Sequence, residues 1–166
     1  MKLKRKFFNR NTVIVAQELL GKYLVRRVGG KVIATRITET EAYCGRNDLA
    51  CHASKGLTER TRIMFGPPAR AYIYLIYGMY HCLNVVTEKE GYPAAVLIRG
   101  CELANGPGKL CRELKINKKL NGIDLCGSKE LWFEDRVERP AKINKGNRIG
   151  VDYAGKWKDK LWRFYI

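Results

Sequence analysis

The sequence predicts an α+β fold built on an antiparallel sheet, a mixed domain with short helices at its periphery. Three observations carry that expectation. Strand-like runs outnumber helical ones along the 166 residues. Short turns join those runs, which favours antiparallel neighbours over crossover helices. Two pairs of runs, 22–43 and 71–87, break at glycine, as β-hairpins do. The length fits a single domain over 1–166 with one core.

Taken in order, "MKLKRKFFNRNTV" is basic and no uninterrupted apolar segment follows it, so no signal peptide is expected. Residues 1–8 read as a basic arm or disordered lead-in. Residues 9–20 read as a helix: Asn9 or Asn11 can cap it, Val13, Leu19 and Leu20 suggest an apolar stripe, and Gly21 can close it. "KYLVRRV" (22–28) and residues 31–43 read as strands across the Gly29-Gly30 turn. Residues 44–70 read as a basic loop region ending in "FGPPAR". "AYIYLIYGMYHCLNVVT" (71–87) reads as two β-runs broken at Gly78, and "AAVLIRG" (94–100) as another strand. "NGPGKLCRELKI" (105–116) is a turn opening a short helix. Residues 117–147 read as irregular and charged, and "LWRFYI" as a final strand.

Lys and Arg total 32 against 16 Asp and Glu, a net charge of +16. Solubility needs far less. Such an excess points to a polyanionic partner, nucleic acid first and an anionic membrane surface second. No apolar run approaches membrane-spanning length. The six cysteines (44, 51, 82, 101, 111, 126) form no C-x-x-C pair and match no zinc spacing. They read as reduced, packed side chains, and neither metal nor cofactor is expected.

Two stretches carry candidate chemistry. In "ETEAYCGRNDLACHASKG" (39–56), strand alternation puts Glu39, Glu41 and Tyr43 on one face. Glutamate is disfavoured in strands, so the pair needs solvent, cationic partners or a task. One reading is a solvated strand end salt-bridged to Lys and Arg. The other is a general base that takes a proton from water. Parity does not separate Glu41 from Glu39. In "YIYLIYGMYHCLN", four of the nine tyrosines fall within 72–80. Tyr72 reads as ordinary core. The hairpin tip would carry Tyr77, Met79 and Tyr80, an apolar tip resembling a wedge that enters a base stack. Tyr74, on the opposite face from Tyr77 by parity, would line a pocket behind it. His52 beside Cys51 reads first as a packed side chain. Arg99 ends an apolar strand and needs an anion if buried, with Glu41 a candidate. "NGPGK" lacks P-loop spacing and reads as a β-turn.

Together, "ETEAY", "D-x-A-x-H", "R-x-x-x-MF-G-P-P", "YGMY-x-C-L-N", "NGPGKLC" and "RIGVDYAG-x-W…RFYI" stand in order from residue 39 to the last. The chain resembles the alkyladenine (3-methylpurine) DNA glycosylase family over nearly its whole length. The resemblance implies a curved antiparallel sheet with a protruding hairpin. It implies base-excision repair: a damaged purine leaves the duplex, a hairpin tyrosine fills the gap, and the N-glycosidic bond is hydrolysed. By matching positions, Glu41 would activate water and Arg99 would help hold it. Tyr43, His52 and Tyr74 would wall the base pocket, with Asn84 at its floor excluding the amine of normal guanine. Tyr77 would intercalate beside Met79. The implied partner is double-stranded DNA bearing damaged purines of the 3-methyladenine class, with hypoxanthine and ethenoadenine also in view. A monomer acting on chromosomal DNA in the cytoplasm is expected. The sequence departs from the family at Ala69, where glycine is usual, and at Asn147, Leu161 and His81.

An N-alkylated purine is a cationic leaving group, so one carboxylate could suffice where glycosidases use two. Tyrosine faces would favour such a cation by roughly 0.5–2 kcal/mol. A non-catalytic nucleic-acid-binding module would explain the charge and the aromatics, but not Glu41 with Arg99. A glycosylase with lyase activity would need an amine for a Schiff base. A zinc enzyme lacks ligands.

Overall fold

The Gly29-Gly30 turn, with both residues at positive φ, folds β1 (Tyr23–Val28) back onto β2 (Lys31–Cys44) in unbroken antiparallel register from Val28↔Lys31 to Tyr23↔Arg36. The computed structural model describes residues 1–166. β3 (Ala71–Ile76) and β4 (Tyr80–Val86) form the second hairpin, and β5 (Ala94–Cys101) pairs with both β4 and β2. β6 (Ala104–Asn105) adds to β5 ahead of helix α3 (Pro107–Glu113). β7 (Leu131–Glu134), β8 (Asn144–Gly146) and β9 (Arg163–Tyr165) complete a curved sheet of nine strands. Its continuous path runs β3-β4-β5-β2-β1-β7, and every pairing is antiparallel. No helix is long and apolar enough to cross a membrane.

The expected helix over 9–20 is two pieces, α1 (Arg5–Phe8) and α2 (Thr12–Leu19). Asn11 interrupts them because its side chain accepts from the Val13 and Ile14 amides at 3.0 and 3.3 Å, capping α2. The buried stripe is Thr12, Val15, Ala16 and Leu19, with Val13 only half-buried. Thr40 Oγ1 of β2 donates to the Ala16 carbonyl at 2.8 Å and ties the helix to the sheet.

Residues 1–8 are not a free basic arm. Leu3 and Phe8 sit in the main core, Lys2 bridges to Glu134, and Arg5 reaches Asp124 at 2.6 Å. The basic residues around them keep their charged ends outward while the apolar ones turn in, a division hidden in so charged a segment. Residues 117–147 likewise contain β7 and β8, whose four and three residues are too short to show a period. All six cysteines are free thiols, four of them buried. Ala69, where the family usually has glycine, is buried and held at φ 69, left-handed geometry that glycine adopts more readily.

Strand alternation divides the sheet between two tasks. Ile73, Leu83, Val85, Val96, Ile98 and Ala42 point into the main core of 26 buried residues. Their sequence neighbours on β2, β3, β4 and β5 point the other way, towards one cavity.

Candidate active site

Four strands line this cavity with side chains of one parity: Tyr43 from β2, Tyr72, Tyr74 and Ile76 from β3, Cys82 and Asn84 from β4, and Ala95, Leu97 and Arg99 from β5. Loops, short helical turns and the start of α3 close the remaining sides with Ala50, His52, Met64, Pro107, Ile149, Val151 and Tyr153. The cavity measures about 140 Å³, close to the roughly 150 Å³ known to accept an aromatic ring.

The β2–β5 ladder is irregular at one place. Ile37 pairs with Cys101, Glu39 with Gly100 and Thr40 with Ile98, so Thr38 and Arg99 are each left without a partner across that ladder. A bulge of this kind re-aims its side chain. Here it turns Arg99 towards the carboxylates, its Nε 3.3 Å from Glu39 Oε1 and 3.6 Å from Glu41 Oε1. These are charge contacts, since Nε is not aligned for a hydrogen bond with either. Gly100 allows the strands this close: a Cβ there would lie 3.2 Å from both the Glu39 Cβ and Thr38 Oγ1.

The two glutamates that parity could not separate now differ. Glu39 is partly exposed and also receives Arg163 Nη1 at 3.0 Å, so it is the salt-bridged member. Glu41 is 0% exposed. Its Oε2 accepts from the Tyr43 hydroxyl at 2.7 Å and its Oε1 from the Ile149 amide at 2.8 Å. The carboxylate sits directly behind the cavity wall, because Tyr43, Arg99 and Ile149 all line the cavity while Glu41 does not. Burial raises its pKa above the ordinary glutamate value, against the opposing pull of Arg99, the Ile149 amide and Tyr43. Burial, with the charge of Glu41, likewise keeps Tyr43 a neutral phenol.

His52, read first as a packed side chain, has its Nδ1 2.9 Å from the Tyr72 hydroxyl and its ring 4.6 Å from that of Tyr74, nearly perpendicular. Burial, then the charges of Arg60 and Lys55, lowers its pKa to about 4, so the imidazole is neutral at neutral pH. Tyr72 is a correction. It is buried, as a core strand residue would be, yet it lines the cavity and orients His52. Asn84 Nδ2 donates to the Tyr72 carbonyl at 3.1 Å, which fixes the amide at the cavity wall.

The expected site residues therefore fall into three places. Tyr43, His52, Tyr74, Asn84 and Arg99 share the cavity, and Glu41 stands behind it. Tyr77 and Met79 are outside, at the hairpin tip, 88% and 68% exposed. Tyr77 and Gly78 both have positive φ, and the Met79 amide closes the turn on the Ile76 carbonyl at 3.0 Å. Left-handed geometry at a tyrosine costs roughly 1–2 kcal/mol, and no burial of its ring offsets it. Residues not singled out individually from the sequence are Ile149, Tyr153, and a buried ion pair of Asp48 and Arg148 beneath Tyr43. The only signal for them was their place inside the "D-x-A-x-H" and "RIG" motifs.

A curved antiparallel sheet with a buried carboxylate behind an aromatic cavity, in a strongly basic chain, suits a hydrolase that acts on nucleic acid. Comparison with known proteins makes this specific. The sequence model described as Methylpurine-DNA glycosylase matches residues 6–104 and 101–166. A protein of Methanocella arvoryzae named "Putative 3-methyladenine DNA glycosylase" is 54% identical over 98% of this chain and 91% of its own length. Proteins bearing the same name from Legionella pneumophila (strain Lens) and Alkaliphilus oremlandii are 52% and 47% identical, over 99% and 100% of this chain and 94% and 96% of theirs. The chain belongs to the methylpurine-DNA glycosylase family. It is a DNA-repair enzyme that hydrolyses N-glycosyl bonds.

Proposed function

We propose that this enzyme removes purines of the 3-methyladenine class, and also hypoxanthine and ethenoadenine, from double-stranded DNA by flipping them into the aromatic cavity. Glu41 is the general base. A water held between Glu41 and Arg99 gives its proton to Glu41 while its oxygen bonds to the anomeric carbon. The N-glycosidic bond breaks with its electron pair passing to the purine. The observation that carries this reading is the buried Glu41 carboxylate, held from three sides, behind a wall of Tyr43, Arg99 and Ile149. His52, Tyr43 and Tyr74 wall the base and Asn84 faces its edge. The enzyme works as a monomer on chromosomal DNA in the cytoplasm. Lyase chemistry is disfavoured because no lysine is among the cavity-lining residues; borohydride should trap no covalent adduct.

The tyrosine faces carry a second consequence. Arg148 stacks on Tyr43 at 4.8 Å and Arg60 on Tyr74 at 5.2 Å, and neither arginine lines the cavity. Each ring thus already serves a cation on its outer side, which weakens its preference for a cationic base and favours a broader range that includes neutral lesions. The test is base release from a panel of duplexes holding 3-methyladenine, 7-methylguanine, hypoxanthine and ethenoadenine. Release of none would reject the proposal. Arg60→Ala should raise the ratio of cationic to neutral lesions excised by about two- to fivefold, the worth of an exposed cation–π contact.

Tyr77 is the residue that fills the gap left in the stack. A base–aromatic stack is worth about 1–3 kcal/mol, so Tyr77→Ala should slow excision from duplex DNA by about tenfold or more. Excision from single strands should barely change, and so should the melting temperature, given how exposed the ring is. Equal slowing on both substrates would assign Tyr77 to something other than duplex opening.

A further inference from the structure

Arg148 and Asp48 are both completely buried, and together they satisfy one another and four backbone groups. Arg148 Nη1 donates to Asp48 Oδ2 at 2.6 Å and to the Ala42 carbonyl at 2.9 Å. Its Nη2 donates to Asp48 Oδ1 at 2.9 Å and to the Trp157 carbonyl at 3.1 Å. Asp48 in turn accepts from the Cys44 and Ala50 amides, each at 3.1 Å. The guanidinium lies between the rings of Tyr43 and Trp162, at 4.8 and 5.1 Å.

These contacts join three chain segments that also meet around the cavity. The end of β2 carries Glu41 and Tyr43. The 44–52 loop carries His52. The 147–151 loop carries Ile149, the residue after Arg148, whose amide donates to Glu41 at 2.8 Å. A bidentate guanidinium–carboxylate pair is rigid in plane and direction, and a buried network in which both Nη groups and both Asp48 oxygens are bonded, with only the Arg148 Nε left without a partner, holds one arrangement. Buried ion pairs are a poor route to stability as such, because an apolar pair of similar volume often serves equally well. Geometry is what such a replacement cannot supply.

The geometry points to the Asp48–Arg148 pair as a positioning device that aims the Ile149 amide at Glu41 and so sets the proton affinity of the base. This rests on the reading of Glu41 as that base. The groups facing the Glu41 carboxylate are Glu39 and Tyr43 from its own strand, Tyr74 and Cys82 from the β3–β4 hairpin, Arg99 from β5 and the Ile149 amide. Arg163 of β9 acts on it only through Glu39. Of these, the Ile149 amide is the one next in the chain to a member of the pair, and Tyr43 is the other group the pair touches. An amide bond to the charged form lowers a carboxyl pKa, so freeing the amide should move the acid limb of the rate profile to higher pH.

The test uses the full-length protein with Asp48→Leu/Arg148→Met, which removes both charges together, and Asp48→Asn as a milder variant read in the same way should the double variant not fold. We expect a lowered melting temperature, because the Ala42 and Trp157 carbonyls and the Cys44 and Ala50 amides lose their bonds to the pair, and duplex affinity within about threefold at a temperature where the variant is folded. Single-turnover excision should be at least tenfold slower, the acid limb displaced upward, and hydrogen exchange at the Ile149 amide at least tenfold faster. Arg148→Lys, which keeps the charge but not the fork, should give an intermediate loss. Excision within twofold of wild type, or slowed excision with Ile149 still protected and the acid limb unmoved, would overturn the assignment. Glu41→Gln separates the two ideas: full activity in that variant defeats the base itself, whereas the exchange of Ile149 reports on the pair whatever the base is.

Discussion

Glu41→Gln should slow single-turnover base release by at least a hundredfold, within the range that a positioned general base contributes, and the variant should melt at the same temperature as the wild type or above it at pH 7. The two halves of this expectation have one cause. Burial raises the pKa of Glu41, so the fold holds its ionised form at a cost. A carboxyl raised in the folded state favours folding most below the unfolded value of about 4.3, and that advantage is lost as pH rises through the folded value. Glutamine keeps an oxygen for the Ile149 amide and carries no charge, so it escapes this loss. The stability gain should shrink to nothing as pH falls below 4, where the wild-type side chain is protonated as well. The same raised pKa places the acid limb of wild-type activity above the ordinary glutamate value. A Glu41→Gln enzyme within tenfold of wild type, or one that is markedly less stable at neutral pH, would contradict this account.

Arg99→Ala is expected to give the largest loss of stability, about 3–5 kcal/mol at pH 7, the usual result of removing one partner from a buried ion pair. Arg99 stands between two carboxylates and is little exposed itself. Glu39 keeps Arg163 as a partner, but Glu41 retains only the Tyr43 hydroxyl and the Ile149 amide. Without the guanidinium, the Glu41 pKa rises further. The deficit should therefore be full at neutral pH and smallest near pH 4, where a protonated Glu41 needs no cation. Urea titrations at pH 7 and pH 4.5 measure this directly. A deficit that stays constant with pH would mean that Arg99 stabilises through packing of its stem and not through charge. Excision should fall with stability and should not recover at low pH, because the protonated carboxyl cannot accept a proton from water.

The antiparallel α+β class was legible in the sequence because its signals are local. Glycine pairs mark turns wherever they stand, and apolar runs declare strands. The cavity-facing set on β3, β4 and β5 follows from a period of two residues, which a reader can count. Tyr74 behind the tip and Tyr77 upon it were separable on that basis alone, and both lie where counting puts them. Counting set Tyr72 on the face of Tyr74 but could not say that this face meets a cavity, so Tyr72 read as ordinary core. It failed at residues 1–8 because a stretch so rich in Lys and Arg conceals the alternate positions that dock Leu3 and Phe8.

The sequence by itself determined the alternation of the strands, the composition of the hairpin tip, the charge of the surface and the order of motifs that marks the family. Only the tertiary structure decided which glutamate is buried, because Glu39 and Glu41 share a face and differ solely in what reaches them. Arg163 comes to Glu39 from 124 residues away, and the Ile149 amide comes to Glu41 from 108. The bulge that turns Arg99 towards both is a mismatch between two strands and is written in neither alone. Proton affinity depends on burial and on charges a few ångströms distant, and those distances exist only once the chain has closed on itself.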